Sequence, residues 1–197
     1  MKYENGQFFK ADGHLVGNIN SLPIRHTGSD IVHNGQMTNI RAWVWDIALD
    51  NQGYPVIAYT LLPKPTDHRY MYARWNGEKW TSTELTPGGK WFPQTPEDLE
   101  EREKQYSGGI TLNPVNPSIV YLSREIDGIF KIEKWNTPNK GKTWYSNVIT
   151  KESEHLNVRP IVPRGYDGNE DYVLWMYGEY KHYKNNNTGI KLLDFKQ

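Results

Sequence analysis

Short runs rich in Val, Ile, Tyr, Trp and Thr alternate along this chain with clusters of Gly, Pro and Asn, which is the pattern of strands separated by turns. Runs at 43–49, 55–62, 69–75 and 79–85 predict four strands, and runs at 108–112, 118–123, 128–135 and 144–149 predict four more. In Trp75-Asn-Gly-Glu-Lys-Trp80 the Asn-Gly pair suits the positive φ of a tight hairpin. One helix is expected. Thr95-Pro-Glu-Asp98 offers a cap, a proline at the first helical position and acids in the first turn, leading into Leu99 to Lys104. That helix is a solvated surface element or a lid over a binding face.

The strand groups repeat. Ala48-Leu-Asp-Asn-Gln-Gly-Tyr-Pro-Val-Ile-Ala-Tyr59 recurs loosely as Thr111-Leu-Asn-Pro-Val-Asn-Pro-Ser-Ile-Val-Tyr121, and Arg74–Trp80 is echoed by Lys134–Trp144. A third, more divergent unit runs from Asn157 to Phe195, and Tyr3–Phe9 resembles the tail of a further unit. The period is near ~62 residues, and four antiparallel strands at a fixed period describe a β-propeller blade. The fold class expected is all-β, an incomplete propeller with a partial blade at 1–40, blades at 41–90, 108–150 and 151–197, and an insertion at 91–107. Closed propellers have ~4–8 blades, so this length predicts a part of a longer ring or self-association. Terminal blades would then expose apolar edges and faces, which predicts an oligomeric or poorly soluble isolated chain.

Composition narrows the class. Apolar residues make up 37% of 197, low for a globular chain, but eight Trp, 13 Tyr and five Phe supply large buried area, so the core must be aromatic and disorder is excluded. The 23 basic and 23 acidic side chains balance without a Lys/Arg block, which argues against a nucleic-acid partner. There is no apolar run of membrane-spanning or signal-peptide length. The absence of cysteine removes disulfides, thiolate metal sites and cysteine catalysis and leaves the compartment open.

Thr137-Pro-Asn-Lys-Gly-Lys-Thr-Trp144 fits the Asp-box pattern with Asn in place of Asp. Asn139 can accept from its own following amides, Gly141 takes a left-handed conformation, and Trp144 anchors the turn, so the motif is structural. Together with Arg41-Ala-Trp-Val-Trp-Asp-Ile-Ala-Leu-Asp50, Tyr70-Met-Tyr-Ala-Arg-Trp75, Tyr106-Ser-Gly-Gly-Ile110, Ser118–Arg124 and Asn157–Arg164, it resembles the BNR-repeat-containing family of bacterial seven-bladed propellers over nearly the whole chain. That group is similar to propeller polysaccharide lyases acting on ulvan and rhamnose–glucuronate linkages, and to related rhamnosidases. The resemblance implies secretion, an extracellular or periplasmic place of action, an acidic glycan as partner, and catalytic histidines from blades ahead of Tyr3. Fold does not fix function.

Cleaving a uronate by β-elimination needs a base such as Tyr or His at C5 and a cation that neutralises the carboxylate. The planar fork of Arg suits the second role, and Arg41, Arg74, Arg124 and Arg159 are the candidates near strand ends. The resemblance makes Tyr59 and Arg74, on adjacent strands, the expected base and neutraliser; their structural alternative is a core-facing tyrosine and a rim salt bridge. For hydrolysis, Asp46 is the best single acid, semi-buried near the axis. The loops of a propeller mouth would gather Arg41, His68, Tyr106, Arg124, His155 and Arg159 as a cationic, aromatic surface for an anionic sugar, against the alternative that these side chains scatter and pair locally with acids. Trp43 and Trp45, which alternation puts on one face, and Tyr106 and Trp175 could stack on sugars, though inter-blade packing is the commoner task. None of the six histidines has metal-site spacing, so no metal or other cofactor is expected, and a structural divalent cation stays compatible with the sequence. Gly-Gly pairs at 88–89 and 108–109 read as turns.

Overall fold

The computed structural model describes residues 1–25, 28–64, 66–89, 108–151, 153–165, 172–182 and 184–193. The expected helix around Leu99–Lys104, the insertion at 91–107 and Tyr106 lie outside the described residues. The strands form four antiparallel meanders. The first holds β1 (Lys2–Glu4), β2 (Gln7–Phe9) and β3 (Leu15–Asn18); the second β4 (Arg41–Leu49), β5 (Pro55–Lys64), β6 (Asp67–Trp75) and β7 (Trp80–Gly89). The third holds β8 (Ile110–Leu112), β9 (Ile119–Ile126), β10 (Ile129–Asn136) and β11 (Tyr145–Val148), and the fourth β12 (Leu156–Ile161), β13 (Val173–His182) and β14 (Asn185–Leu193). Every predicted strand is present with its ends shifted by a few residues. No helix among the described residues is long and apolar enough to cross a membrane.

The second, third and fourth sheets stack as blades. Strands β4, β8 and β12 are the inner strands: β4 contacts β8, and β8 contacts β12. Each sheet buries one face against the next, so the core lies between blades rather than within one. Val56, Ala58, Tyr70 and Tyr72 pack against Ile110, Leu112, Val120 and Leu122. Tyr121 and Ile132 pack against Val162, Val173 and Trp175. Tyr70, Tyr72, Tyr121 and Phe130 are the bulkiest fully buried side chains, which is how a chain poor in aliphatics fills its interior.

Turn chemistry accounts for the meander. Asn5-Gly6 (φ 49° and 78°) and Asp127-Gly128 (φ 53° and 80°) form two-residue hairpins that pair Glu4 with Gln7 and Ile126 with Ile129. The Asn76-Gly77 loop works differently from the expectation: only Gly77 has positive φ, and the Asn76 side chain accepts from the Glu78 and Lys79 amides at 2.9 and 2.8 Å. The repeated segments share the same device. Asp50 accepts from the Gln52 and Tyr54 amides, and Asn113 from those of Val115 and Asn116, so each turns the chain from inner to second strand.

The Asp box forms as its sequence demands. Asn139 accepts from Thr143 N at 2.8 Å, Thr137 Oγ1 accepts from Gly141 N at 2.7 Å, and Gly141 sits at φ 93°. A Cβ at Gly141 would also come 3.2 Å from the Tyr72 ring, and Trp144 meets that ring edge-on at 5.0 Å. The box therefore seats one blade on the previous one. The two Gly-Gly pairs are places of close approach rather than turns: a Cβ on Gly88, inside β7, would lie 2.1 Å from His68 Nε2, and one on Gly108 would lie 2.5 Å from the Ser123 carbonyl oxygen.

Candidate functional site

Where the three inner strands approach one another, polar groups replace the apolar core. Asp46 Oδ2 accepts from Thr111 Oγ1 at 2.8 Å and Leu112 N at 2.9 Å, tying β4 to β8. Its Oδ1 accepts from Ile47 N and from Arg164 Nη2, both at 2.8 Å, so the segment after β12 reaches back to β4. Deeper in the stack, Tyr70 donates to the Ser123 carbonyl at 2.7 Å and Ser123 Oγ donates to the Asn157 carbonyl at 2.6 Å. Trp175 Nε1 donates to Asn157 Oδ1 at 2.8 Å, completing a buried chain across all three blades.

A bulge then shapes β12. The register with β13 shifts between Val158 and Ile161, and Arg159 takes a left-handed φ of 55°. That conformation costs a non-glycine residue ~1–2 kcal/mol and persists only where contacts override it. Here the Arg159 amide donates to the Gly108 carbonyl at 2.6 Å, and its Nη2 donates to the Tyr180 hydroxyl at 2.9 Å. The kinked strand, β8 and the middle of β4 enclose a cleft of about 640 Å³, with Trp45, Asp46, Thr111, Arg159 and Arg164 on its walls. Arg164 is exposed, and because only Nη2 is engaged, its Nε and Nη1 hydrogens are left for a ligand.

The expected base and neutraliser lie on adjacent strands, as expected, but do not meet. Tyr59 pairs with Met71 and points into a cluster with Met71 and Ala73, its hydroxyl 2.6 Å from Ser82 Oγ. Burial pushes its pKa up, partly offset by that hydrogen bond, which works against a base at neutral pH. Arg74 points to the other face of the same sheet, where it is buried, ion-paired with Asp50 and within 3.4 Å of the Tyr72 hydroxyl. Two strand positions three apart in paired register have opposite facing, so this separation follows from the pleat.

The expected mouth residues share an end of the blades but not a surface. Antiparallel meanders put the start of each inner strand and the turn between second and third strands at one end, and Arg41, His68, Arg124 and His155 all sit there. His68 is buried beneath Gly88, edge-on to Tyr70 at 5.2 Å. Arg124 holds Glu133 in a two-pronged pair, Nε to Oε2 at 2.6 Å and Nη2 to Oε1 at 3.1 Å. Arg41 and His155 are exposed, and His155 lies edge-on to Tyr177 at 5.4 Å. Of the five that are described, Arg159 alone lines the axial cleft. Trp43 and Trp45 part company because β4 shifts register between Val44 and Asp46: Trp45 packs on the core while Trp43 is exposed.

Sequence reasoning missed Arg164 and Thr111. Arg164 reaches Asp46 across 118 positions and Thr111 across 65, and no local pattern marks either. The proline pair flanking Ile161-Val162 was the available sign that the chain leaves the strand there. Among the described residues no group of three or more His, Asp or Glu side chains could hold a metal ion.

The family model for a BNR repeat-containing family member matches residues 1–87, so the resemblance carried by Arg41–Asp50 and Tyr70–Trp75 is shown over that stretch. The stacked blade at 110–148 carries the same architecture beyond it. No curated protein and no solved structure matches the chain.

Proposed function

We propose that this chain is a carbohydrate-active propeller that binds a uronate-containing glycan in the axial cleft. One observation carries the reading: Arg159 and the partly uncommitted Arg164 stand with Trp45 and Thr111 around a cleft of about 640 Å³, room for more than one sugar residue. Guanidinium forks take carboxylates in bidentate fashion, an indole wall suits the C–H face of a pyranose, and the Thr111 oxygen, whose own hydrogen goes to Asp46, can accept from a sugar hydroxyl. Such a glycan lies outside the cell, so the reading carries an extracellular or periplasmic place of action.

Cleavage by β-elimination is the finer reading, favoured by Arg159 and Arg164 at the cleft, cations that can neutralise a uronate carboxylate. Tyr180, 3% exposed, accepts from Arg159 Nη2 at 2.9 Å and so positions that guanidinium rather than reaching substrate, and Tyr59 with Arg74 does not supply a base at the cleft. Asp46, by contrast, is spent on four hydrogen bonds, three of which hold the blades together, which disfavours a hydrolytic acid there. Titration calorimetry with a short oligoglucuronate tests binding: Arg164→Gln weakens it roughly tenfold, as loss of one charge-assisted contact does. Equal affinity for the oligosaccharide with its carboxylates reduced to alcohols would overturn the reading. Near-ultraviolet absorbance from an unsaturated uronate identifies elimination, since hydrolysis yields none.

A further inference from the structure

The seam between the third and fourth sheets holds a second concavity, of about 320 Å³. Thr150, Lys151, Asn157, Trp175, Tyr177 and Lys191 line it. Alternation along β13 sets the two sides apart: Leu174 and Met176 face the axial cleft, whereas Tyr177 faces the seam and Trp175 borders both.

Two lysines and a threonine of this seam keep hydrogens to donate. Lys191 Nζ lies 3.4 Å from the centroid of the Tyr177 ring, and His155 meets the same ring edge-on. No carboxylate among the described residues pairs with Lys191 or Lys151. Resting on a ring face leaves the ammonium's hydrogens for an anion. Thr150 Oγ1 accepts from Ile132 N at 3.0 Å, so its own hydrogen remains to be donated. By contrast, Ser153 and Asn157 are consumed internally: Asn157 Nδ2 donates to Ser153 Oγ at 2.7 Å and to the Phe130 carbonyl at 3.0 Å, which fixes the floor rather than offering it.

We infer that this seam is a second saccharide site, taking a single carboxylate-bearing sugar residue with its acid between Lys151 and Lys191, a ring hydroxyl on Thr150 and its apolar edge toward Tyr177. The identity of the ligand rests on the glycan reading above; the site itself rests on the seam. It lies away from the axis, so it would hold a distant part of the same chain or a second chain, and occupancy of both raises avidity without a new contact at the cleft.

Calorimetry of the whole chain with a short oligoglucuronate tests the site, with the double variant Lys151→Gln/Lys191→Gln beside Arg164→Gln. All three side chains are exposed, and thermal unfolding checks that each variant is folded as the wild type is. The wild type is expected to bind two equivalents, the lysine variant to lose the seam equivalent or weaken it by roughly tenfold, and Arg164→Gln to weaken only the axial one. A lysine variant that binds as the wild type does overturns the seam site. If the lysine variant loses an equivalent while Arg164→Gln changes nothing, the axial reading fails and the seam stands. No binding of the probe by the wild type overturns both.

Discussion

Replacing Arg74 by Met breaks an ion pair whose two side chains are only 5% and 4% exposed, beneath the junction of the second and third sheets. Removing one partner of a buried pair costs ~3–5 kcal/mol because the other charge is left uncompensated. The surroundings decide where in that range each substitution falls. Without Arg74, Asp50 still accepts from the Gln52 and Tyr54 amides at 2.8 Å, so Arg74→Met belongs near the lower end, ~3 kcal/mol. Without Asp50, the guanidinium keeps only the Tyr72 hydroxyl at 3.4 Å and the turn loses both amide bonds, so Asp50→Ala belongs near ~5 kcal/mol. The double variant buries no lone charge and should be less destabilised than Asp50→Ala alone, a coupling of at least ~3 kcal/mol. Urea unfolding of the four proteins measures the cycle, and at ~2–4 °C per kcal/mol the melting temperature of Arg74→Met falls by on the order of 6–12 °C. An Arg74→Met protein within ~0.5 kcal/mol of wild type, or additive single effects, would refute the assignment of Arg74 as a structural ion-pair member.

Burial raises the pKa of Tyr59, Tyr70 and Tyr72, so each contributes stability that is whole below the unfolded value of ~10 and is lost as pH climbs toward the folded values. Unfolding free energy should therefore fall steeply above pH ~10, by up to ~1.4 kcal/mol per pH unit for each such tyrosine, and Tyr70→Phe should reduce that slope; a flat alkaline profile by urea unfolding contradicts the burial. At neutral pH, Tyr70→Phe leaves the Ser123 carbonyl without its donor and costs ~1–3 kcal/mol, read by denaturant midpoint. Gly141→Ala forces a Cβ to positive φ against Tyr72 and should cost ~1–2 kcal/mol or more, whereas an unchanged midpoint would show that the Asp box does not seat the blades. We expect the chain to self-associate through its uncovered apolar residues, of which Ile161 is 58% and Ile190 68% exposed; light scattering that finds a monodisperse monomer overturns this, and Ile190→Lys should shift an observed oligomer toward monomer.

Strands and turns were legible in the residues because their causes are local. Asn139 with Gly141, Asp50 and Asn113 each bond amides within four positions, and such turns form wherever the chain supplies them. The repeat was legible because each blade needs the same turns at the same spacing. The facing of side chains was not. One extra residue in β4 turns Trp43 outward from Trp45, and the bulge in β12 brings Arg159 to the cleft; both are set by what the neighbouring blade presents, Thr111 and Leu112 in one case and the Gly108 carbonyl in the other. Tyr59 and Arg74 were paired by the resemblance and by lying on adjacent strands; the register that sets Tyr59 opposite Met71 and Arg74 opposite Val56 puts them on different faces, and only the paired strands fix it. The axial cleft joins residues up to 118 positions apart, Asp46 and Arg164, and only the stacking of three blades, driven by aromatic burial between sheets, brings such residues within a hydrogen bond of each other.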